Sequence, residues 1–206
     1  MVLEIVQNES KNKEEALEKC LEELNVNSSE VFYIVSEEET GGLFSKKKYV
    51  VKALTKYSVK EYIKQYFNEL AKKMNTTFNI EVNESDNVFS VLVVTDNNAV
   101  LIGKDGNTLN SIQMLLRQSV RKYGDFGFKI NLDIAGYKSK KERNIMYEVK
   151  KVAREVLKTK VDAKLDPMNS YERRIVHTAL SEFKNIATES EGEEPNRCVI
   201  IKYKED

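Results

Sequence analysis

Apolar residues along the chain switch between two rhythms, and the switches mark out the elements. Leu3 to Gln7 predicts a strand. Leu17, Cys20, Leu21 and Leu24 then recur at helical spacing, behind an Asn12/Glu15 pair placed as a capping box. Val31 to Val35 and Tyr49 to Leu54 predict two more strands on either side of the turn residues Thr40-Gly41-Gly42, so the first 54 residues read β-α-β-β.

From Ser58 to Asn75, the residues Tyr62, Ile63, Tyr66, Phe67, Leu70 and Met74 keep to one face of an amphipathic helix. Phe78, Ile80 and Val82 alternate with polar residues, as in a half-buried strand. After a turn cluster at Asn83 to Asn87, the almost wholly apolar run Val88 to Val94 predicts a strand buried on both faces. A short helix at Asn98 to Ile102, a helix striped by Leu109, Ile112, Leu116 and Val120, and a strand carrying Phe128, Ile130, Leu132 and Ile134 complete this stretch. Lys138 to Lys160 predicts a helix that bridges to the C-terminal part, with a core stripe of Ile145, Val149, Val152, Ala153 and Val156. Beyond it, Asp166 is placed as an N-cap with Pro167 at the first helical position, and Met168, Ile175, Val176, Ala179 and Phe183 mark a buried face.

Two motifs carry chemistry. In Ile102-Gly103-Lys104-Asp105-Gly106, glycines at both corners allow a tight bend close to a sugar-phosphate strand, the amides opening the next helix favour anions, and Lys104 adds a positive charge. A nucleotide-hydrolysing P-loop is the competing reading. It fails because Asn98 stands five before Gly103 where a glycine is needed, and Asp105 stands where a metal-binding hydroxyl belongs. The second motif is Arg173 with His177, four apart on a helix face, a guanidinium fork and an imidazole able to act together on a phosphate or base.

The order helix, strand, strand, helix, G-x-x-G, helix, strand resembles a type II KH domain. That resemblance implies single-stranded nucleic acid clamped at Gly103, Lys104, Asp105 and Gly106, in a groove lined by Val100, Leu101, Ile102, Leu109 and Ile112. The R-x-x-x-H spacing, with the later Thr188 to Arg197 turn region and Val199-Ile200-Ile201, resembles the R-three-H domain, which implies nucleic-acid contacts at Arg173 and His177 with Arg174 and Arg197 as additions. Gly42-Leu43-Phe44-Ser45-Lys46-Lys47-Lys48-Tyr49 resembles the signature of the Jag N-terminal domain, with a shorter loop.

Together the whole chain resembles the Jag family, also called KhpB or EloR. The expected architecture is α+β in three small domains: residues 1–54, a KH domain at 58–136, and an R-three-H domain at 138–206 that includes the connecting helix 138–160. Only Thr55 to Ser58 separates the first two, so they should be close neighbours. The family implies a bacterial cytoplasmic protein that binds single-stranded RNA and is tied to cell elongation and division, with a small KH protein of the KhpA kind as partner. Single-stranded DNA is the alternative ligand, and a homo-oligomer is compatible with the sequence.

Charge refines this picture. The chain holds 33 Lys and Arg against 33 Asp and Glu. The balance is uneven: residues 1–40 have three Lys against eleven acids, residues 41–64 seven Lys against one Glu, and residues 138–177 twelve cations against six acids. Lys46, Lys47 and Lys48, and Lys150, Arg154 and Lys158 at every fourth position of the bridging helix, are therefore candidate basic surfaces for RNA. No apolar run reaches membrane-spanning length, and two distant cysteines suit a reducing compartment. With one histidine and no cysteine near it in sequence, neither a metal site nor a cofactor is expected, and the protein is read as non-catalytic. Two alternatives remain: a scaffold whose KH surface pairs with another KH protein, and a nuclease centred on His177.

Overall fold

Strand β1 runs from Val6 to Ser10, later than the apolar run at Leu3 predicts. Leu3 is buried outside the strand, where its amide donates to the Tyr123 hydroxyl at 3.4 Å, so its hydrophobicity reports an anchor rather than strand pairing. These positions come from a computed structural model that describes residues 2–39 and 47–205. Helix α1 (Lys13–Leu24) opens on Asn12, whose side chain accepts from the Glu14 amide at 3.0 Å. The expected capping box is not formed: Glu15 accepts from the Ser10 hydroxyl at 2.6 Å and pairs with Lys19 at 2.9 Å. Those hydrogen bonds, Lys19 first, hold its carboxyl below the ordinary glutamate range.

Strands β2 (Val31–Glu39) and β3 (Lys47–Thr55) join β1 in an antiparallel sheet of order β1-β3-β2. Alternation along β3 sends Val51 and Ala53 under Ala16 and Cys20 of α1, while Val50 and Leu54 are buried on the opposite face. Phe32 pairs with Leu54 and so shares that opposite face.

A second antiparallel pair follows helix α2 (Lys56–Lys73), which is capped by the Thr55 hydroxyl accepting from Ser58 N at 2.9 Å. Strand β4 (Asn79–Ser85) meets β5 (Val88–Val94) through only Asp86 and Asn87, both at positive φ, a tighter turn than the Asn83–Asn87 cluster predicts. Phe89, Val91 and Val93 are buried, but Ser90 on the other face of β5 is exposed, so the strand is dry on one face only. Helices α3 (Asn98–Ile102) and α4 (Asn107–Arg121) then lead to β6 (Lys129–Ile134), which pairs parallel to β5.

The two sheets share one core. Phe32 of β2 sits 5.8 Å from the Phe89 ring and 4.8 Å from Phe128, and Lys56 reaches Glu84 at 3.1 Å. Burying a phenylalanine this way contributes about 1.5–3 kcal/mol. Residues 1–135 accordingly form a single compact unit, and the second unit is residues 136–206.

That second unit begins with α5 (Tyr137–Thr159), entered through the left-handed residues Ala135 and Gly136. The predicted bridging helix thus belongs to the second unit. Its Val149, Ala153 and Val156 pack with Val176 and Leu180 of α6 (Ser170–Leu180), and with Val199 and Ile201 of the sheet. The sheet has the antiparallel order β7-β9-β8, from β7 (Ala163–Lys164), β8 (Ile186–Glu191) and β9 (Cys198–Tyr203). Helix α6 starts later than Asp166-Pro167 predicts. Leu165 N and Met168 N donate to the Val199 and Arg197 carbonyls of the sheet strand and its approach, which keeps 165–168 extended, and the cap passes to Asn169 in a box with Glu172.

Candidate nucleic-acid interface

The turn between α3 and α4 is built by three demands on the backbone within four residues. Gly103 has φ 69°, Asp105 φ 54° and Gly106 φ 85°, all in the left-handed region. A Cβ at Gly103 would lie 2.1 Å from Thr108 Oγ1 and 2.8 Å from its Cβ, so both conformation and space require glycine there. Gly103 N closes α3 on the Ala99 carbonyl at 2.9 Å. Gly106, itself without a side chain, is the N-cap of α4. Lys104 and Asp105 stand exposed at the tip.

The groove assigned to this turn is only partly at the surface. Val100 is 52% exposed, and Ile102 and Ile112 are half-buried. Leu101 and Leu109 are core residues at 2% and 1% exposure, because the stripe that makes α3 and α4 amphipathic is the stripe that packs on the sheet. Met114 and Leu115 are exposed at 54% and 52%; as apolar residues off the Leu109/Leu116/Val120 stripe they were visible in the sequence and not used. Also missed were Gln113 and Arg117, which satisfy the open edge of β6: Leu132 N donates to Gln113 Oε1, and Arg117 Nε to the Ile130 carbonyl, both at 2.8 Å.

Arg173 and His177 share one face of α6, as their spacing requires, and that face meets the β8–β9 hairpin. Arg173 is 8% exposed, and its Nη1 donates to the Met168 carbonyl and to Glu194 Oε1, each at 2.8 Å. His177 Nδ1 lies 2.6 Å from the Thr188 hydroxyl and Nε2 2.9 Å from that of Ser190, two residues on along β8 and on the same face. The guanidinium and the ring are both hydrogen-bonded within the protein. A helix packed beside a hairpin turns its polar i, i+4 pair into a clamp, a relation that sequence spacing does not contain. Arg174 is exposed, whereas Arg197 is half-buried with an Nε that has no hydrogen-bond partner among the described residues.

The basic candidates divide. Lys46 lies outside the described residues. Lys47 pairs with Glu37 at 2.6 Å, and Lys48 with Glu9 at 2.6 Å and Glu38 at 3.5 Å, so neither offers uncompensated charge. The Glu9 hydrogen bond is the main reason Lys48 titrates above the ordinary lysine value. Arg154 and Lys158 are exposed and Lys150 half-buried, and none of the three has an ion-pair partner among the described residues.

A three-stranded sheet with two parallel neighbours, an outward G-x-x-G turn between the connecting helices, and a separate helix–hairpin unit together define a KH protein with an R-three-H module. Family models agree segment by segment: the Jag N-terminus over residues 8–54, the KhpA/KhpB KH domain over 60–134, and the R-three-H domain over 144–203. RNA-binding protein KhpB of Clostridium symbiosum is 34% identical over 203 residues, covering 96% of this chain and 90% of that protein. Its Bacillus subtilis (strain 168) counterpart is 32% identical over 199 residues, covering 94% and 96%. In Streptococcus pneumoniae D39 the like-named protein is 29% identical over 101 residues, 49% of this chain and 31% of that one. The chain belongs to the KhpB family. No helix among the described residues is long and apolar enough to cross a membrane.

Proposed function

We propose that this protein binds single-stranded RNA without catalysis, with the Gly103–Gly106 turn as the primary contact. The observation that carries this reading is the exposed Lys104 beside two left-handed glycines at the start of α4. Main-chain N–H groups and one ammonium there suit a phosphate backbone. Val100, Ile102 and Ile112 supply the accessible apolar surface for bases, and Leu101 and Leu109 support it from the core. The relatives named RNA-binding proteins agree with this reading. In the cell we assign the binding to regulation of elongation and division, in the cytoplasm, as the family resemblance implies.

Lys104→Asp tests the primary site. It places two acids between the glycines and is expected to reduce affinity for labelled single-stranded RNA sharply at moderate salt. Unchanged affinity would remove the KH turn from the mechanism. A second reading is favoured by Val100, Met114 and Leu115, each an exposed apolar residue on the KH helices: these helices pair with a second KH domain, from a small KhpA-like protein or another copy of this chain. Complexes that persist through nuclease treatment would support it, and complexes that dissolve would reduce it to shared RNA.

A further inference from the structure

A number of cations outside the outward side of α5 are paired with acids. In α1 and α2, Lys19 pairs with Glu15, Lys64 with Glu61 and Lys72 with Glu69. Within the second unit Lys141, Lys164, Arg173 and Lys202 are bonded to Glu172, Glu191, Glu194 and Glu189. The outward side of α5 carries a row of cations with no such pair among the described residues.

Lys140, Arg143, Tyr147, Lys150, Arg154 and Lys158 follow one another at steps of three or four residues. On a helix they fall within a stripe about 80° wide and ~27 Å long, turned away from Val149, Ala153 and Val156. Lys150 is half-buried and the other five are exposed, Tyr147 at 68%. None of the five cations has an ion-pair partner among the described residues, and the helix's acids, Glu142, Glu148 and Glu155, lie off the stripe. Like charges at three- and four-residue spacing weaken a helix. Lys140 also stands near the positive end of the helix dipole, with no acid in the first turn. A helix face that merely meets solvent mixes its signs, as α1 does.

We propose that this stripe of α5, and not the Arg173/His177 pair, is the surface by which the C-terminal unit holds RNA. The cations follow successive phosphates along a single strand, and Tyr147 offers its ring to a base. Arg173 and His177 act as positioning residues, clamping α6 to the hairpin. The proposal rests on the RNA-binding reading above and adds the location of its second contact.

The test uses the full chain and a labelled random-sequence single-stranded RNA, with anisotropy measured across a salt series. Lys150→Gln/Arg154→Gln/Lys158→Gln keeps good helix formers at exposed or half-buried positions, and its melting curve checks folding. Removing three phosphate contacts should flatten the log affinity against log salt slope by about 2 and weaken binding about tenfold or more at low salt. Tyr147→Ala should weaken binding about fivefold or more with the slope unchanged, since stacking is not ionic. A folded triple-Gln variant with wild-type affinity and slope overturns the proposal. If Lys104→Asp loses binding while the triple variant does not, the α5 stripe falls and the KH reading stands. A wild-type chain that fails to bind this RNA sinks both.

Discussion

Arg173→Ala separates a clamp from an RNA contact, and its cost follows from the geometry. The guanidinium is 8% exposed and donates to the Met168 carbonyl and the Glu194 carboxylate at 2.8 Å each. A hydrogen bond from a charged donor to a part-buried carbonyl contributes about 1.5–3 kcal/mol. The Glu194 side chain is 58% exposed and regains water when its partner leaves, so that bond adds about 0–1 kcal/mol. Loss of the packed aliphatic stem adds about 1 kcal/mol, for a total of roughly 2.5–5 kcal/mol. For a unit of this size the melting transition should fall by roughly 10–40 °C. Differential scanning calorimetry would measure it, with hydrogen exchange along β8 and β9 locating the loosened segment. RNA affinity at a temperature where the variant remains folded should change little. An unaltered transition combined with a large loss of RNA affinity would refute the clamp and return Arg173 to the ligand.

Two further outcomes follow from local geometry. Gly103→Ala meets both a left-handed backbone and Thr108 Oγ1 at 2.1 Å, and should destabilise the first unit by about 1–3 kcal/mol in urea denaturation while weakening RNA binding; wild-type stability would show that the turn relaxes without cost. Lys141 is opposed by burial, yet its hydrogen bond and charge interaction with Glu172, helped by Tyr137, raise its pKa above the ordinary 10.5. Its folded-state pKa exceeds the unfolded one, so its contribution is complete below 10.5 and is lost as pH rises through the folded value. Stability of the wild type should therefore decline more steeply above that pH than stability of Lys141→Met, and superimposable curves would exclude the effect.

Periodicity made most elements readable. The strand at Val88–Val94 and the helix at Asn98–Ile102 begin and end where their patterns do. Errors concentrated where a residue served a partner distant in sequence. Leu3 is apolar because it is an anchor, and Pro167 does not start a helix because its neighbours are hydrogen-bonded to residues some 30 further on. Both cases turn on contacts across the chain, which a local pattern does not encode.

The candidate sites divide in the same way. Sequence alone determined the G-x-x-G turn, since glycine's freedom at positive φ is an intrinsic property that needs no neighbour, and it determined the spacing that puts Arg173 and His177 on one helix face. It also contained the cationic ladder of α5, with Tyr147 among its rungs. Only the tertiary structure decided which way each face points: the hairpin packed beside α6 takes Arg173 and His177 inward, the sheet takes Leu101 and Leu109, and α5, buried along one stripe alone, leaves its cations to the surface. Helical spacing sets which side chains travel together, but burial is settled by what packs against them, and that is a property of the whole fold.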